Sequence, residues 1–396
     1  MEADIQSLIE KEKKYLFNTY RRLNILIESG EGCYLYSKSG RKILDMFAGL
    51  AVNVLGYAHP KINEAITSQI HKYIHISNFF YQESQINLAE KLINSTGFAK
   101  VFFSNSGTEA VEGSIKIVRK YFQERKKKTL ISFSGSYHGR SYGALSLTSR
   151  TKYREGYEPF LPDILHLKYN STEDLEKYVN DDTAAIFVEC IQGEGGINLA
   201  SAEFVNRIKD LRNKFGFLLV ADEIQSGVGR TGKLHSYEHF DIVPDILVIA
   251  KGIGGGLPLG ALLGNIKVAD IFQVGVHGST FGGNPVAASC GLVVFDELHS
   301  GLMDKVKQKG QYLKSKLFEL KNKYSDKIKD VRGIGLMVGI ELYLDGQNIV
   351  DRLLEQNVLV NCTNGNVIRL LPPLIIEPDE IDLFIDKLKL VFGQLR

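Results

Sequence analysis

Two side chains at the ends of apolar runs define the chemistry this chain could carry. Lys251 ends the run ILVIA and is followed by glycines at 252, 254, 255 and 256. A lysine so placed is partly desolvated, which lowers its pKa and frees the amine to condense with a carbonyl. The competing reading is the usual fate of lysine, an ammonium reaching solvent from a loop. Asp222 follows directly on FLLVA. A carboxylate there needs a cationic partner to stay ionised. A protonated ring nitrogen would serve, as would a structural arginine, and the residue could also cap the next segment. In VFFSNSGTEAVEG an apolar run leads into Ser106, Gly107 and Thr108 and then into a helical pattern. A helix N-terminus offers free N–H groups and the glycine lets an anion approach, so a phosphate fits. The same residues also spell a capping box, with Ser106 as N-cap and Glu109 three positions on. In SGSYHGR, Tyr137 has a ring to stack on a planar group and Arg140 a fork to grip a carboxylate. Core packing for the tyrosine and a surface ion pair for the arginine are the local alternatives.

These positions demand a sheet that brings strand ends together. The middle of the chain alternates β-branched runs with longer periodic segments, which predicts an α/β fold with a mostly parallel sheet and helices on both faces. Strands are expected at 101–103, 129–133, 185–188, 217–221, 246–249 and 261–263, with helices at 109–123 and 202–215 between them. In such sheets ligands sit beyond the carboxyl ends of the strands. Lys251 and Asp222 are expected on two strands far apart in the sheet, reaching opposite sides of one aromatic ring. After Gly291 the texture becomes α+β: a charged amphipathic helix over 304–323, strands at 330–341, 358–361 and 367–370, and a helix over 380–392. The expected organisation is therefore an N-terminal segment, 1–55, packing through CYLYSKSGRKILDM on a small C-terminal α+β domain, 291–396, with a large domain over 56–290.

Bulk properties exclude some partners. Lys plus Arg number 48 and Asp plus Glu 46, so no strong field gathers nucleic acid or anionic lipid. MEADIQSLIEKEKK lacks the features of a secretory or transit peptide, and no stretch of 18 apolar residues occurs. The four cysteines are scattered without CxxC spacing, which predicts reduced thiols in a cytoplasmic protein. Gly227, Gly229 and Gly232 have dinucleotide-fingerprint spacing, but they start six residues after the strand and precede no glycine-packed helix. His71 and His75 have i, i+4 spacing without an HExxH glutamate or a third ligand, so no metal site is expected.

Taken together, AVNVLGYAHP, FFSNSGTEA, SYHGRSYGALS, VECIQGEGGI, LLVADEIQSGVGRTGKL, PDILVIAKGIGGGLPLGA, HGSTFGGNP and IRLLPPLII resemble the class III (ornithine/acetylornithine) aminotransferases over essentially the full length. The resemblance implies the fold type I architecture and pyridoxal 5'-phosphate as cofactor. It implies Lys251 as the covalent anchor, Asp222 on the pyridinium nitrogen, and Gln225 near the phenolic oxygen, with Tyr137 stacked on the ring. Glu223 and Ile224 fall in the same cofactor-binding segment. Ser106, Gly107 and Thr108 would hold the phosphate, completed by Thr280 from the neighbouring subunit of a homodimer. Ser279 and Arg140 would contact substrate, Arg369 the α-carboxylate, and Glu189 and Glu194 would line the same pocket, one of them pairing with Arg369 when no α-carboxylate is present. Cys190, Tyr57 and Val111 depart from the family's usual proline, histidine and asparagine. NTYRR, GLAVNVLG and HGSTFGGNP are closest to the acetylornithine branch, which implies N2-acetylornithine and 2-oxoglutarate as substrates of a ping-pong reaction in arginine biosynthesis. Other ω-amino donors (acetyl-lysine or carrier-linked lysine, succinylornithine, ornithine, 4-aminobutyrate), a glutamate-1-semialdehyde mutase and a non-catalytic binding module are the alternatives.

Overall fold

The computed structural model describes residues 2–395. Near the N-terminus β1 (Ile27–Glu31), β2 (Tyr34–Ser37) and β3 (Lys42–Asp45) form an antiparallel meander. The central sheet then takes β4 (Lys100–Ser104), β5 (Thr129–Phe133), β6 (Ile164–Leu167) and β7 (Thr183–Val188). A two-stranded hairpin, β8 (Ile191–Gln192) and β9 (Asn198–Leu199), lies apart from it. The sheet resumes with β10 (Leu218–Asp222), β11 (Ile246–Ile249) and β12 (Gly260–Gly264). Its order is β4-β12-β11-β10-β7-β5-β6, all strands running one way except β12. Every residue of β7, β10, β11 and β12 is buried, as continuous apolar runs covered on both faces require.

The strands expected for this sheet match these elements, 217–221 being offset by one residue from β10, and β6 is an edge strand that sequence reading missed. Its burial alternates between half-buried and exposed before Leu167 closes it, so ILHL carries no continuous apolar signal. One expectation is overturned. β10 and β11 are neighbours, with Asp222 level with Val248, so amine and carboxylate leave adjacent strands, not distant ones. The 23 residues between the two strands form a mostly buried loop with a single 3-10 turn at Ser236–His239.

Beyond the central sheet, β13 (Ile328–Ile334) and β14 (Met337–Leu342) form a hairpin where one strand was expected. The turn holds Gly335 at φ +58, where an added Cβ would meet the Thr231 backbone at 2.6 Å. The expected strand at 358–361 is likewise two strands serving different sheets. β15 (Val358–Leu359) pairs with β3, while β16 (Asn361–Thr363) pairs with β17 (Val367–Leu370), which in turn pairs with β14. The N-terminal meander thus shares a sheet with C-terminal residues.

The helical run Pro285–Lys323 is long and apolar enough to cross a membrane by length and composition alone. Its first part, Pro285–Glu297, buries eight residues and packs on the Pro60–Lys72 and Glu83–Thr96 helices. The four cysteines are free and separate. The Pro60–Lys72 helix ends before His75, so His71 and His75 do not share a helix face.

Candidate active site

Along the carboxyl edge of the sheet the strand order fixes an order of side chains. β4 leads to Ser106–Thr108, β11 to Lys251, β10 ends in Asp222, β7 is followed by Glu189, and β5 leads to Tyr137. They enclose a cavity of about 430 Å³, large enough for a cofactor plus a small substrate. Its wall includes Ser106, Gly107, Thr108, Tyr137, Arg140, Glu189, Glu194, Asp222, Ile224, Gln225 and Lys251.

Lys251 begins a 3-10 turn two residues past β11 and sits at φ +52. A non-glycine residue is rarely held there, and such outliers cluster at functional sites. Burial pushes its ammonium pKa down; the Asp222 and Glu194 carboxylates oppose this without reversing it. An amine so placed is available as a nucleophile and base.

Asp222 is 4% exposed. Its Oδ1 accepts from the Ile224 N–H at 3.1 Å and its Oδ2 from His138 Nδ1 at 2.7 Å. Neither partner saturates its oxygen, so each keeps a lone pair. Sequence reading singled out Tyr137 and Arg140 but passed over His138 between them. The available signal was an imidazole in a segment already assigned to a strand end.

The Gly107–Tyr121 helix starts with the Ser106 half of the expected capping box. Ser106 Oγ accepts from Glu109 N–H at 3.3 Å, and Glu109 Oε2 accepts from Asn105 N–H at 2.7 Å. Glu109 thus reaches the N–H before the N-cap and not that of Ser106, and the cap uses only part of the first turn's donors. The turn is also braced across the cavity mouth. Thr108 Oγ1 lies 2.7 Å from Ser141 Oγ, and a Cβ at Gly139 (φ +139) would strike Thr108 Oγ1 at 2.3 Å. Only glycine lets the two loops touch.

Glu194 and Arg369 form an ion pair at 2.5 Å, and Arg369 also donates to Gln225 Oε1 at 3.1 Å and Asn361 Oδ1 at 2.7 Å. Burial raises the Glu194 carboxyl, but Arg369 outweighs it and holds the pKa below its usual value. Glu189 is committed differently. Its oxygens accept from Tyr137 N–H at 3.0 Å and Gly193 N–H at 3.1 Å, so it braces backbone while also lining the cavity. Burial lifts its pKa to about 7. Arg140 is exposed at the mouth, its guanidinium 3.9 Å from the Tyr153 ring centre and its Nε 3.2 Å from Tyr137 Oη.

Three expected residues lie elsewhere. Glu223 faces away from the cavity, because neighbouring residues of an extended chain point to opposite sides. Its carboxylate accepts from Ser236 N–H, Tyr237 N–H, Ser226 Oγ and Ser236 Oγ at 2.7–3.1 Å, so the expected cofactor contact is replaced by a structural knot. Glu223→Ala is expected to strand two buried N–H groups and destabilise the fold by about 2–4 kcal/mol. Thermal unfolding of the cofactor-free protein checks this. Ser279 and Thr280 lie outside the cavity wall of this chain. Ser279 Oγ caps its own loop at Gly282 N–H, and Thr280 is exposed.

A buried amine just past one strand, a buried carboxylate at the end of its neighbour, and a glycine-opened helix N-terminus suit a phosphorylated aromatic aldehyde. The donor set fits pyridoxal phosphate, and the fold and site are those of a cofactor-dependent aminotransferase. The class-III aminotransferase family model matches residues 15–392, and the chain belongs to that family, whose cofactor is pyridoxal phosphate. The acetylornithine aminotransferase of Aquifex aeolicus is 44% identical over 95% of this chain and 99% of its own. Among solved structures, the acetylornithine aminotransferase of Elizabethkingia anophelis has a TM-score of 0.88 at 32% identity, covering 99% of each chain. The ornithine aminotransferase of Toxoplasma gondii has a TM-score of 0.93 at 29% identity, covering 98% of this chain and 95% of its own.

Proposed function

We propose that this aminotransferase moves the terminal amino group of N2-acetylornithine to 2-oxoglutarate, giving N-acetylglutamate 5-semialdehyde and glutamate. The observation that carries the donor is near full-length similarity to relatives named acetylornithine aminotransferase. The proposal extends to a cytoplasmic step of arginine biosynthesis and to a homodimer in which Thr280 of each chain completes the partner's phosphate site. Its position off this chain's own cavity, on an exposed loop, supports that reading.

Pyridoxal phosphate, when bound, supplies an aldehyde that takes up amines and a ring that disperses the electron pair left when the donor carbon loses its proton. Ser106, Gly107 and Thr108 would hold its phosphate at the helix N-terminus. Asp222 would hold its ring nitrogen, Gln225 its phenolic oxygen, and Tyr137 and Ile224 its ring. Lys251 Nζ would anchor it, and the same amine would carry the proton of the donor's amine-bearing carbon. Arg140 and Arg369 orient carboxylates. The Arg369–Glu194 pair is the selecting element. An ω-amine carries no α-carboxylate at the reacting end, so Glu194 keeps Arg369 occupied. 2-Oxoglutarate brings one, and Glu194 must yield.

Arg369→Ala is expected to raise the KM for 2-oxoglutarate about 10–100-fold, the worth of a charge-assisted hydrogen bond of about 1.5–3 kcal/mol. The donor half-reaction should change by less than about threefold, and separate half-reaction kinetics measure both. A panel of ω-amino donors with 2-oxoglutarate tests the substrate. Turnover of free ornithine far above that of the N-acetyl form would overturn the proposed donor.

A further inference from the structure

We propose that Arg150 is a positioning residue for the substrate switch: by holding the Glu194 carbonyl from the central-sheet side, it keeps the Glu194 side chain seated on Arg369 and so favours amines that lack an α-carboxylate. The proposal rests on the reading of the Arg369–Glu194 pair as the selecting element.

Glu194 stands in the turn between β8 and β9, in the run Gly193-Glu194-Gly195-Gly196-Ile197. Three glycines in five residues leave such a turn many conformations. Gly196 at φ +111 and Ile197 at φ +56 are held in one that few side chains favour. Its shape is therefore imposed from outside, and the carbonyls are the handles. Glu194 O accepts from the Arg150 guanidinium and from Thr363 Oγ1, the latter at 2.6 Å. Gly196 O accepts from Arg332 Nη2 at 2.7 Å and Nε at 3.0 Å, and Ile197 O from Arg332 Nε at 3.2 Å.

These clamps come from two sides. Thr363 lies on β16 and Arg332 on β13, in the same four-stranded sheet as Arg369 on β17. They carry the turn along with Arg369. Arg150 sits on the connection between β5 and β6, just before the short Thr151–Arg154 helix, and ties the turn to the central sheet. Its side chain is half-buried, and its one hydrogen bond among the described residues goes to Glu194 O. That bond is charge-assisted, so it outweighs the one from the neutral hydroxyl. The same cation also acts on the carboxylate: burial raises the Glu194 pKa, while the charges of Arg369, Lys251 and Arg150 lower it. Without Arg150, one neutral donor would hold a carbonyl flanked by glycines, and pairing Glu194 with Arg369 would carry the cost of ordering the turn. Arg369 would then be freer to take an α-carboxylate.

A change in preference between two donors separates this role from general support of the fold. N2-acetylornithine, or whichever ω-amino donor the panel ranks first, and glutamate react with the same resting holoenzyme, and only glutamate brings an α-carboxylate to the reacting end. Single-turnover rate constants, divided by the apparent dissociation constant, are measured for both donors in R150A, R150K and E194Q, together with unfolding temperatures. The ratio of glutamate to the ω-amino donor is expected to rise at least fivefold in R150A and in E194Q. R150K, which keeps a cationic donor, should stay within twofold of the unaltered protein. R150M, which keeps length but offers no donor, takes the place of R150A if that variant fails to fold. An unchanged ratio in R150A while E194Q shifts, whether or not both constants fall together, overturns the proposal alone, as does R150K shifted as far as R150A. If E194Q leaves the ratio unchanged, the switch reading of the Arg369–Glu194 pair fails and the proposal falls with it.

Discussion

Replacing Lys251 by alanine is expected to lower transamination by at least about 10⁴-fold, since one side chain acts as both nucleophile and proton carrier. The absorbance band near ~420 nm that marks the covalently anchored cofactor should vanish, and cofactor should wash out on dialysis. Turnover within tenfold of the unaltered protein would remove Lys251 from the mechanism. The substitution has a second readout in stability. Burial holds the Lys251 ammonium below its usual pKa. Between that depressed value and the unfolded lysine value of about 10.4, the unfolded chain binds more protons than the folded one, so stability of the cofactor-free protein rises with pH across this window. Lys251→Ala should flatten that rise. Chemical denaturation at a series of pH values would show it, and an unchanged slope would mean the amine is solvated.

Asp222→Asn is expected to be nearly as damaging, costing at least about 10³-fold in both half-reactions, because the group that holds positive charge at the ring nitrogen is lost. Both present partners of Asp222 are donors, the Ile224 N–H and His138 Nδ1. An asparagine can offer oxygen to only one of them and must turn its NH₂ on the other. The substitution therefore removes charge and breaks the local pairing together, while volume is conserved. Half-reactions followed by stopped-flow absorbance measure the loss. Equal rates in the variant and the unaltered protein would show that Asp222 does not face the reacting ring.

Much of this site was legible because its signals are local. An apolar run that stops at Lys251 and dissolves into glycines marks a strand end, and SNSGTEA marks a helix start. Asp222 stood out because a carboxylate directly after five apolar residues must find a partner. Where the local signal was weak or duplicated, reading failed. The half-exposed β6 has no continuous apolar pattern. β13 and β14 run on from one another in the sequence, and the positive φ at Gly333 and Gly335 divides them. Glu223 was grouped with Asp222 by adjacency, although a one-residue step along extended chain reverses the facing.

By itself the sequence determined which segments become strands and helices, which reactive groups stand at their ends, and that the chain is built for amine chemistry. Those properties depend on a few consecutive residues, whose burial and dihedral preferences are set within a turn or a strand. Tertiary structure alone decided who meets whom. His138 and Asp222 are 84 positions apart, Glu194 and Arg369 175, and Arg230 and the Pro372 carbonyl it holds 142. It also decided that β10 and β11 lie side by side. The physical reason is that each such pairing is chosen by packing two buried surfaces against each other, and one-dimensional patterns record that a surface is buried but not against what.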